Sequence, residues 1–211
     1  MPRVLNLDAQ APAPEAIAEL SDHLRAGGVA VVPTDTLYGL AANALEARAV
    51  ERVFALKGRG FDKALPIVVR DQEQAREVAA RLPPLFVELA DRFWPGPLTL
   101  ILPAAAHLPA ALTAGSGGIA LRQPDLPLLA ALLASTGFPL TATSANRSGE
   151  PACRTAAEVM AQLGSGCPLI ADAGPSPSHL PSTIVDLCGS APRLVRAGAV
   201  AADRLASYLK L

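Results

Sequence analysis

One stretch near the N-terminus, residues 29–69, does most to limit how this chain can fold. It opens with the short β-branched run VAVV at 29–32, which follows two glycines and therefore predicts a buried strand. Pro33 lacks a backbone donor and ends that strand. Residues 46–57 then place apolar side chains on one face of a helix, and PIVV at 66–69 predicts a second strand. A strand, a helix and a strand in succession indicate an α/β fold.

Strands and helices continue to alternate beyond this stretch. Helices are predicted at residues 14–26, 71–82, 84–94, 126–135, 155–163 and 201–209. Strands are predicted at residues 97–102, 118–122 and 139–146, and in three short segments at 168–174, 182–187 and 192–198. The alternation predicts one α/β domain over residues 1–211, in which helices flank a single mixed β-sheet.

Composition limits the classes of function that the chain can have. Apolar residues make up 51% of the chain, which allows a substantial core. The net charge of −1 gives no overall attraction to nucleic acid, so RNA would have to bind at a local basic patch. The three cysteines lack the spacing of a zinc site or a disulfide framework. This cysteine pattern makes a reducing cytoplasm the expected compartment. No uninterrupted apolar run of about 18 residues occurs, so we expect no membrane segment.

Two loops of the opening stretch carry the polar groups of a candidate ligand site. The turn at 34–38, TDTLY, places three hydroxyls and a carboxylate at the end of a strand, with Thr36 at its centre. The second loop follows the helix and brings Lys57, Arg59 and Lys63 together around glycines, a charge pattern that suits a polyanion. Both loops also have ordinary explanations, a capped turn for the first and a basic surface loop for the second.

Polar side chains also stand near the ends of four other predicted strands. They are Arg122, Ser144 with Asn146, Ser182 and Arg196. Open α/β sheets bind ligands at strand ends, and planar guanidinium groups suit carboxylate or phosphate. Each residue alone could equally be a structural or solvated side chain. The sequence contains neither GxxxxGK[ST] nor GxGxxG, so it encodes no P-loop or Rossmann phosphate site.

Five motifs, PTDTLYGL, LKGRGFDK, TSANRSG, STIVDL and LVRAGAV, occur in this order. Together they resemble the YrdC-like family of L-threonylcarbamoyl-AMP synthases, and the resemblance extends over nearly the whole chain. It implies the short single-domain form of a YrdC-like fold, a twisted mixed β-sheet with a large positively charged cavity. It also implies a nucleotidyltransferase that condenses L-threonine, bicarbonate or carbon dioxide, and ATP to threonylcarbamoyl-adenylate and pyrophosphate.

The resemblance further implies partners for the product. Threonylcarbamoyl-transfer proteins would carry the group to the adenosine next to the anticodon of tRNA (the t6A37 modification), and tRNA itself could bind directly. Mg²⁺ would arrive with ATP, and no residue is assigned to a metal held by the protein. Two alternatives stay open. One is a paralogue or carbamoyl-adenylate-forming relative with another substrate, and the other is a non-enzymatic module that binds double-stranded RNA or tRNA.

Carried over position by position, the family motifs imply roles for nine residues. Those expected to bind ATP are Lys57, Arg59, Lys63, Ser144, Asn146 and Arg196, of which Lys57 and Arg59 are also expected to be catalytic. Those expected to bind threonine are Thr36, Arg122 and Ser182. The sequence departs from the motif at Val68, where many members have a histidine. We therefore expect threonine to be bound without a histidine.

Overall fold

The computed structural model describes residues 2–58, 60–178 and 180–209, which include eight α-helices. The helices are α1 (Pro14–Arg25), α2 (Ala47–Lys57), α3 (Gln72–Val78), α4 (Pro84–Phe93), α5 (Ala110–Thr113), α6 (Pro127–Thr136), α7 (Ala156–Leu163) and α8 (Ala206–Leu209). Two 3₁₀ helices cover Gly164–Gly166 and Ala202–Leu205. Among these residues, no helix combines the length and the apolar character needed to cross a bilayer.

Eleven strands in the same described ranges form two mixed sheets. The strands are β1 (Arg3–Asn6), β2 (Ala30–Val32), β3 (Gly39–Ala41), β4 (Ile67–Val68), β5 (Leu98–Pro103), β6 (Gly118–Arg122), β7 (Leu140–Thr141), β8 (Thr143–Ser144), β9 (Leu169–Asp172), β10 (Thr183–Asp186) and β11 (Arg193–Arg196). Sheet 1 has the order β1-β9-β2-β3-β8, and sheet 2 has the order β11-β10-β5-β6-β4-β7. Both contain parallel and antiparallel pairs. The predicted α/β class with mixed pairing is confirmed, but the strands divide between two sheets where the sequence predicts one.

The division into two sheets follows from a break at Ala142. The sequence predicts one strand over residues 139–146, but β7 pairs with β4 in sheet 2 and β8 pairs with β3 in sheet 1. Between them, the backbone N–H of Ala142 donates to Pro66 O (2.8 Å), and Thr141 Oγ1 donates to Leu40 O (2.8 Å). The chain therefore passes from one sheet to the other inside a single apolar run, and this crossing brings the two sheets together.

Strand β2 is buried along its whole length, which explains why its sequence is continuously apolar. Val29 and Val31 pack in one hydrophobic cluster, whereas Ala30 and Val32 pack in another. The first cluster includes the apolar faces of α2 and α4, and the second includes those of α1 and α6. Because both faces of this strand are covered, polar groups can stand only at its ends, and this is where the 34–38 turn begins.

Two predicted helices differ from the observed structure. The helix expected at 71–82 ends at Val78, because Ala79 takes an extended backbone conformation and two prolines follow shortly after it. The helix expected at 201–209 begins as a 3₁₀ helix, and only Ala206–Leu209 is α-helical. Three elements, β1, β3 and α5, were not predicted from the sequence, because with four, three and four residues they are too short to show a period.

Candidate active site

A cavity of about 710 Å³ lies between the two sheets. One wall consists of side chains from sheet 2, including Thr99, Ala120 and Ile184, and the opposite wall includes Gly39 and Thr143 of sheet 1. The volume is in the range of pockets that hold small molecules and cofactors. Because much of the wall belongs to strands, many of the groups that line the cavity are held on rigid elements.

The cavity collects most of the residues that the sequence analysis assigns to ligands. Six of the nine line it, namely Thr36, Lys63, Arg122, Ser144, Ser182 and Arg196. Lys57 and Asn146 are not among the described lining residues, and Arg59 lies outside the described residues. The individual roles of these side chains, as ligands of ATP or threonine and as catalytic groups, stay predictions.

One buried hydroxyl holds the 34–38 turn in shape. Thr34 Oγ1 accepts hydrogen bonds from the backbone N–H groups of Thr36 (3.0 Å) and Leu37 (3.1 Å), and it lies 2.9 Å from Thr36 Oγ1. Threonine commonly organises turns by this kind of local bond from side chain to backbone. The bonds fix the Thr36 hydroxyl at the cavity wall, where the residue is only 6% exposed.

Arg122, at the end of β6, forms an ion pair that the sequence analysis did not foresee. Its Nη1 donates to Asp35 Oδ1, and both side chains are largely buried. Asp35 belongs to the 34–38 turn, so the pair joins the turn after β2 to sheet 2. Arg122 lines the cavity, and Val68 stands beside it in the parallel ladder of β4 and β6. A buried apolar side chain thus occupies the position of the family histidine.

A β-bulge aims Arg196 into the cavity. In the antiparallel pair of β10 and β11, Ile184 stands opposite Arg196 and Val185 stands opposite Leu194, so Val195 is the extra residue. The bulge lets Leu194 pack against the core while Arg196, two residues later, lines the cavity with Ile184. In a regular strand, the alternation of side chains would put Leu194 and Arg196 on the same face.

Arg196 is held by the segment that it faces. Its Nε and Nη2 donate to Ser182 O (3.1 and 2.7 Å), and Nη2 also donates to Ser182 Oγ (3.2 Å). Ser182 Oγ lies 2.7 Å from Thr99 Oγ1, which extends this line of hydrogen bonds across the sheet. Arg196 is exposed as a whole residue, but the surrounding protein partly desolvates its guanidinium group. This desolvation, and then the nearby positive charge of Arg122, lower the pKa of Arg196 below its usual value. The two guanidinium groups therefore act on each other within one cavity.

Gly198 lies directly against the backbone of Ser182. A Cβ on Gly198 would stand 2.6 Å from both the carbonyl carbon and the carbonyl oxygen of Ser182, and closer still to Pro181 O. The backbone N–H of Ala199 donates to that same Pro181 O (2.9 Å). Only glycine allows two backbone segments to approach this closely. The LVRAG motif therefore supports the part of the cavity wall that carries Ser182.

Lys57 is buried and bonded to backbone carbonyl groups. Its Nζ donates to Ser144 O (2.5 Å) and Asn146 O (3.0 Å), and the residue is 3% exposed. Asn146 Nδ2 in turn donates to Arg147 O (2.8 Å) and Glu150 O (2.7 Å). The two residues therefore brace the end of β8 and the loop that follows it, and Ser144, the last residue of β8, lines the cavity.

Arg154 lines the cavity and is absent from the residues predicted for the site. It stands just before α7, where Thr155 Oγ1 accepts a hydrogen bond from the backbone N–H of Glu158 (3.2 Å). Glu158 Oε2 accepts one from the backbone N–H of Arg154 (2.6 Å). This pattern is close to a capping box, which is readable from the sequence as Thr-x-x-Glu. It marks the start of the helix and so could have pointed to Arg154.

The charged side chains that line the cavity in the described part of the chain are all positive. The described lining residues include four cations, Lys63, Arg122, Arg154 and Arg196, and no carboxylate. A cleft lined by one sign of charge attracts ligands of the opposite sign, and guanidinium groups bind carboxylate or phosphate through paired hydrogen bonds. The hydroxyls along the walls add neutral donors and acceptors. The arrangement can hold two anions next to each other and orient them.

The Sua5/YciO/YrdC family model, described as "Telomere recombination", matches residues 22–198 of this chain. The threonylcarbamoyl-AMP synthase of Bacillus subtilis (strain 168) is 36% identical over 194 residues, which are 92% of this chain and 56% of that protein. The threonylcarbamoyl-AMP synthase of Alkalilimnicola ehrlichii is 36% identical over 173 residues, which are 81% of this chain and 90% of that protein. This chain thus spans little more than half of the first relative and most of the second.

A solved structure shares the fold. Pyrococcus abyssi Sua5 complexed with L-threonine matches with a TM-score of 0.94 and 33% identity, over 98% of this chain and 61% of that chain. The segment that the family model matches contains every predicted site residue, from Thr36 to Arg196. The chain therefore belongs to the Sua5/YciO/YrdC family.

Proposed function

We propose that this chain is an L-threonylcarbamoyl-AMP synthase, which makes threonylcarbamoyl-adenylate and pyrophosphate from L-threonine, bicarbonate or carbon dioxide, and ATP. The observation that carries the proposal is the single cavity in which two interacting guanidinium groups, two further cations and several hydroxyls converge. Two relatives named threonylcarbamoyl-AMP synthase and a Sua5 structure that contains L-threonine support it.

The proposed reaction requires two anions to meet. The uncharged threonine amine forms a C–N bond with carbon dioxide and releases a proton, or with bicarbonate and releases water in place of the proton. In both cases the product is a carbamate anion. A carbamate oxygen then attacks the α-phosphorus of ATP. A new P–O bond forms as the bond to the β-phosphate oxygen breaks, and pyrophosphate leaves. Because carbamate and triphosphate repel each other, the enzyme must neutralise and position them, which is the task for which four lining cations are suited.

We assign the lining residues to the two substrates. Arg122 would bind the threonine carboxylate, and Thr36 and Ser182 would bind its hydroxyl or amine-derived groups. Arg196 and Lys63 would bind the phosphates. The cavity is continuous, so the carbamate formed on threonine would lie against the α-phosphate without leaving the site.

The residues outside the lining keep their proposed roles toward the nucleotide. Lys57 and Asn146 would act on ATP through the loop after β8 that they brace, with Ser144 as the group that reaches the cavity. Arg59, which lies outside the described residues, would be a catalytic cation by its place in the family motif. These assignments rest on the family motifs and on the position of the loop.

Mg²⁺ would enter as part of the ATP substrate. No carboxylate lines the cavity among the described residues, and in the same part of the chain no three His, Cys, Asp or Glu side chains cluster as metal ligands would. Mg²⁺ binds readily to phosphate oxygens and keeps several waters, so a nucleotide can supply its ligands. The chain would then contribute cations and hydroxyls around the phosphates.

We also propose where the product goes. Threonylcarbamoyl-adenylate is a mixed anhydride, an activated acyl donor that a transfer reaction can consume. Threonylcarbamoyl-transfer proteins would pass the group to the adenosine next to the anticodon of tRNA, in the cytoplasm. Three cysteines without a disulfide suit a reducing compartment of this kind.

The test is pyrophosphate release from ATP by the purified protein with labelled bicarbonate and each amino acid in turn. Release should require threonine, and the label should appear in an adenylate. Arg122→Ala should weaken threonine binding far more than ATP binding, whereas Asp22→Asn, which removes an exposed ion pair with Arg25 on α1, should change neither. Turnover of carbamoyl phosphate in place of threonine would favour the carbamoyl-adenylate alternative. RNA binding without any turnover would favour the binding module.

A further inference from the structure

We infer that Asp35 is a positioning residue for recognition of the amino-acid substrate. It holds the Arg122 guanidinium at the angle at which its unused N–H groups face the cavity. The inference rests on the proposed function, because that function makes Arg122 the ligand of the threonine carboxylate. Asp35 itself does not line the cavity, so it would act through Arg122 and not by touching the substrate.

The contacts of Arg122 leave most of its donors available. A guanidinium carries five N–H donors. Within the described residues, the side chain of Arg122 makes one hydrogen bond, from Nη1 to Asp35 Oδ1. A single anchored nitrogen restrains the orientation of the group and leaves its other edge for a second carboxylate. Paired N–H donors bind a carboxylate well only when that edge points at it, so the anchor determines how well the substrate is held.

The carboxylate of Asp35 is itself well placed to serve as the anchor. Its side chain is 11% exposed, and Oδ2 is sealed from solvent with no hydrogen-bond partner among the described residues. The turn that carries it is held by the hydroxyl of Thr34. A carboxylate with so little solvation depends on its one cationic partner. Asp35 and Arg122 are therefore tied to each other more firmly than an exposed pair would be.

The second guanidinium explains why a charged anchor is needed. The charge of Arg122 acts on Arg196 and contributes to the lowered pKa of that residue, so the two groups repel each other. A neutral side chain in place of Asp35 would leave Arg122 free to turn away from Arg196. It would also make the surroundings of the cavity more positive by one charge. Loss of the Arg122 orientation weakens binding of the threonine carboxylate, which needs paired donors that point at it. The added positive charge favours ATP, whose phosphates respond mainly to net charge.

We expect loss of the Asp35 charge to weaken threonine binding without weakening ATP binding, a split that a merely structural link would not produce. Asp35→Asn keeps the shape of the side chain and removes its charge. We expect the Kd of threonine, measured by calorimetry, to rise about tenfold, while the Kd of ATP stays within about twofold or falls. In an Arg122→Ala background, adding Asp35→Asn should change the threonine Kd by less than about twofold, because Asp35 acts only through Arg122.

Asp22→Asn, with its exposed partner on α1, is the matched control and should bind both substrates like the parent. Equal weakening of threonine and ATP, together with a lower Tm, would overturn the inference in favour of a structural link. Tighter threonine binding would overturn it as well, because Asp35 would then be a competitor for Arg122. If the parent protein bound no threonine, the proposed function would fail first, and the inference with it.

Discussion

A single methyl group on Gly198 should damage the site more than the fold. The added Cβ would stand 2.6 Å from the carbonyl group of Ser182 and closer still to Pro181 O, whereas ordinary van der Waals contact begins at 3.4 Å, so the two backbone segments must separate by at least about 0.8 Å. Backbone atoms cannot rotate away as a flexible side chain would. The shift moves both the Ser182 hydroxyl on the cavity wall and the carbonyl that binds Arg196.

A misplacement of about 1 Å can cost on the order of a hundredfold in rate. We therefore expect Gly198→Ala to lower kcat/KM for threonine by about tenfold to a hundredfold, while overpacking lowers the free energy of unfolding by only about 1–3 kcal/mol. Threonine-dependent pyrophosphate release measures the first quantity, and denaturant unfolding of the same sample measures the second.

The matched control is Gly189→Ala, whose Cβ would stand at an ordinary 3.6 Å from Ala191 O. This variant should keep the parental activity. The reasoning about close approach would be refuted if Gly198→Ala retained kcat/KM within about twofold of the parent. It would also be refuted if the two alanine variants lost activity equally.

Three further predictions concern single side chains. Lys57→Ala should lower activity and also the free energy of unfolding, by about 1–3 kcal/mol, because it leaves buried carbonyl groups without their donor; an unchanged denaturation midpoint would contradict this. Thr36→Val and Ser182→Ala should each lower kcat/KM for threonine several-fold. The parent should reject valine, because valine leaves buried hydroxyl partners unpaired, and equal pyrophosphate release with valine and threonine would contradict a site that binds the threonine hydroxyl. Burial raises the pKa of the Cys188 thiol to about 11, so iodoacetamide should label it slowly near neutral pH and faster as the pH rises toward that value. Mass spectrometry measures the labelled fraction, and rapid labelling of the folded protein at neutral pH would contradict the raised pKa.

Single helices and strands could be predicted from the sequence, because the residues that cause them lie next to each other in the chain. The apolar face of residues 46–57 and the β-branched run at 29–32 are visible without knowledge of any partner. Pairing is not local. Residues 139–146 look like one strand, yet Thr141 and Thr143 pair in different sheets because their partner strands lie far away along the chain. For this reason the sequence predicted one sheet where the structure has two.

The candidate site shows the same division between local and distant causes. Hydroxyls and cations that follow apolar runs stand out in a sequence, and six of those that the analysis selected line the cavity. The pairing of Asp35 with Arg122 could not be predicted, because the two residues are separated by 87 positions. Lys57 falls on the apolar face of the predicted helix, so its buried position follows from the sequence. Its bonds to Ser144 O and Asn146 O do not, because these carbonyl groups lie 87 and 89 positions away.

The bulge at Val195 also bears on how copies of this molecule meet one another. Strand β11 is an edge of sheet 2, with no strand beyond it among the described residues. A long, regular edge is a template on which a strand of another chain can pair, and such pairing leads to aggregation. The extra residue interrupts the repeat of hydrogen-bonding groups, and the side chain of Arg193, 73% exposed, adds a charge that an approaching strand would have to bury. The inserted residue that directs Arg196 toward the cavity thus also makes the outer edge of sheet 2 a poorer template for a strand of a neighbouring molecule.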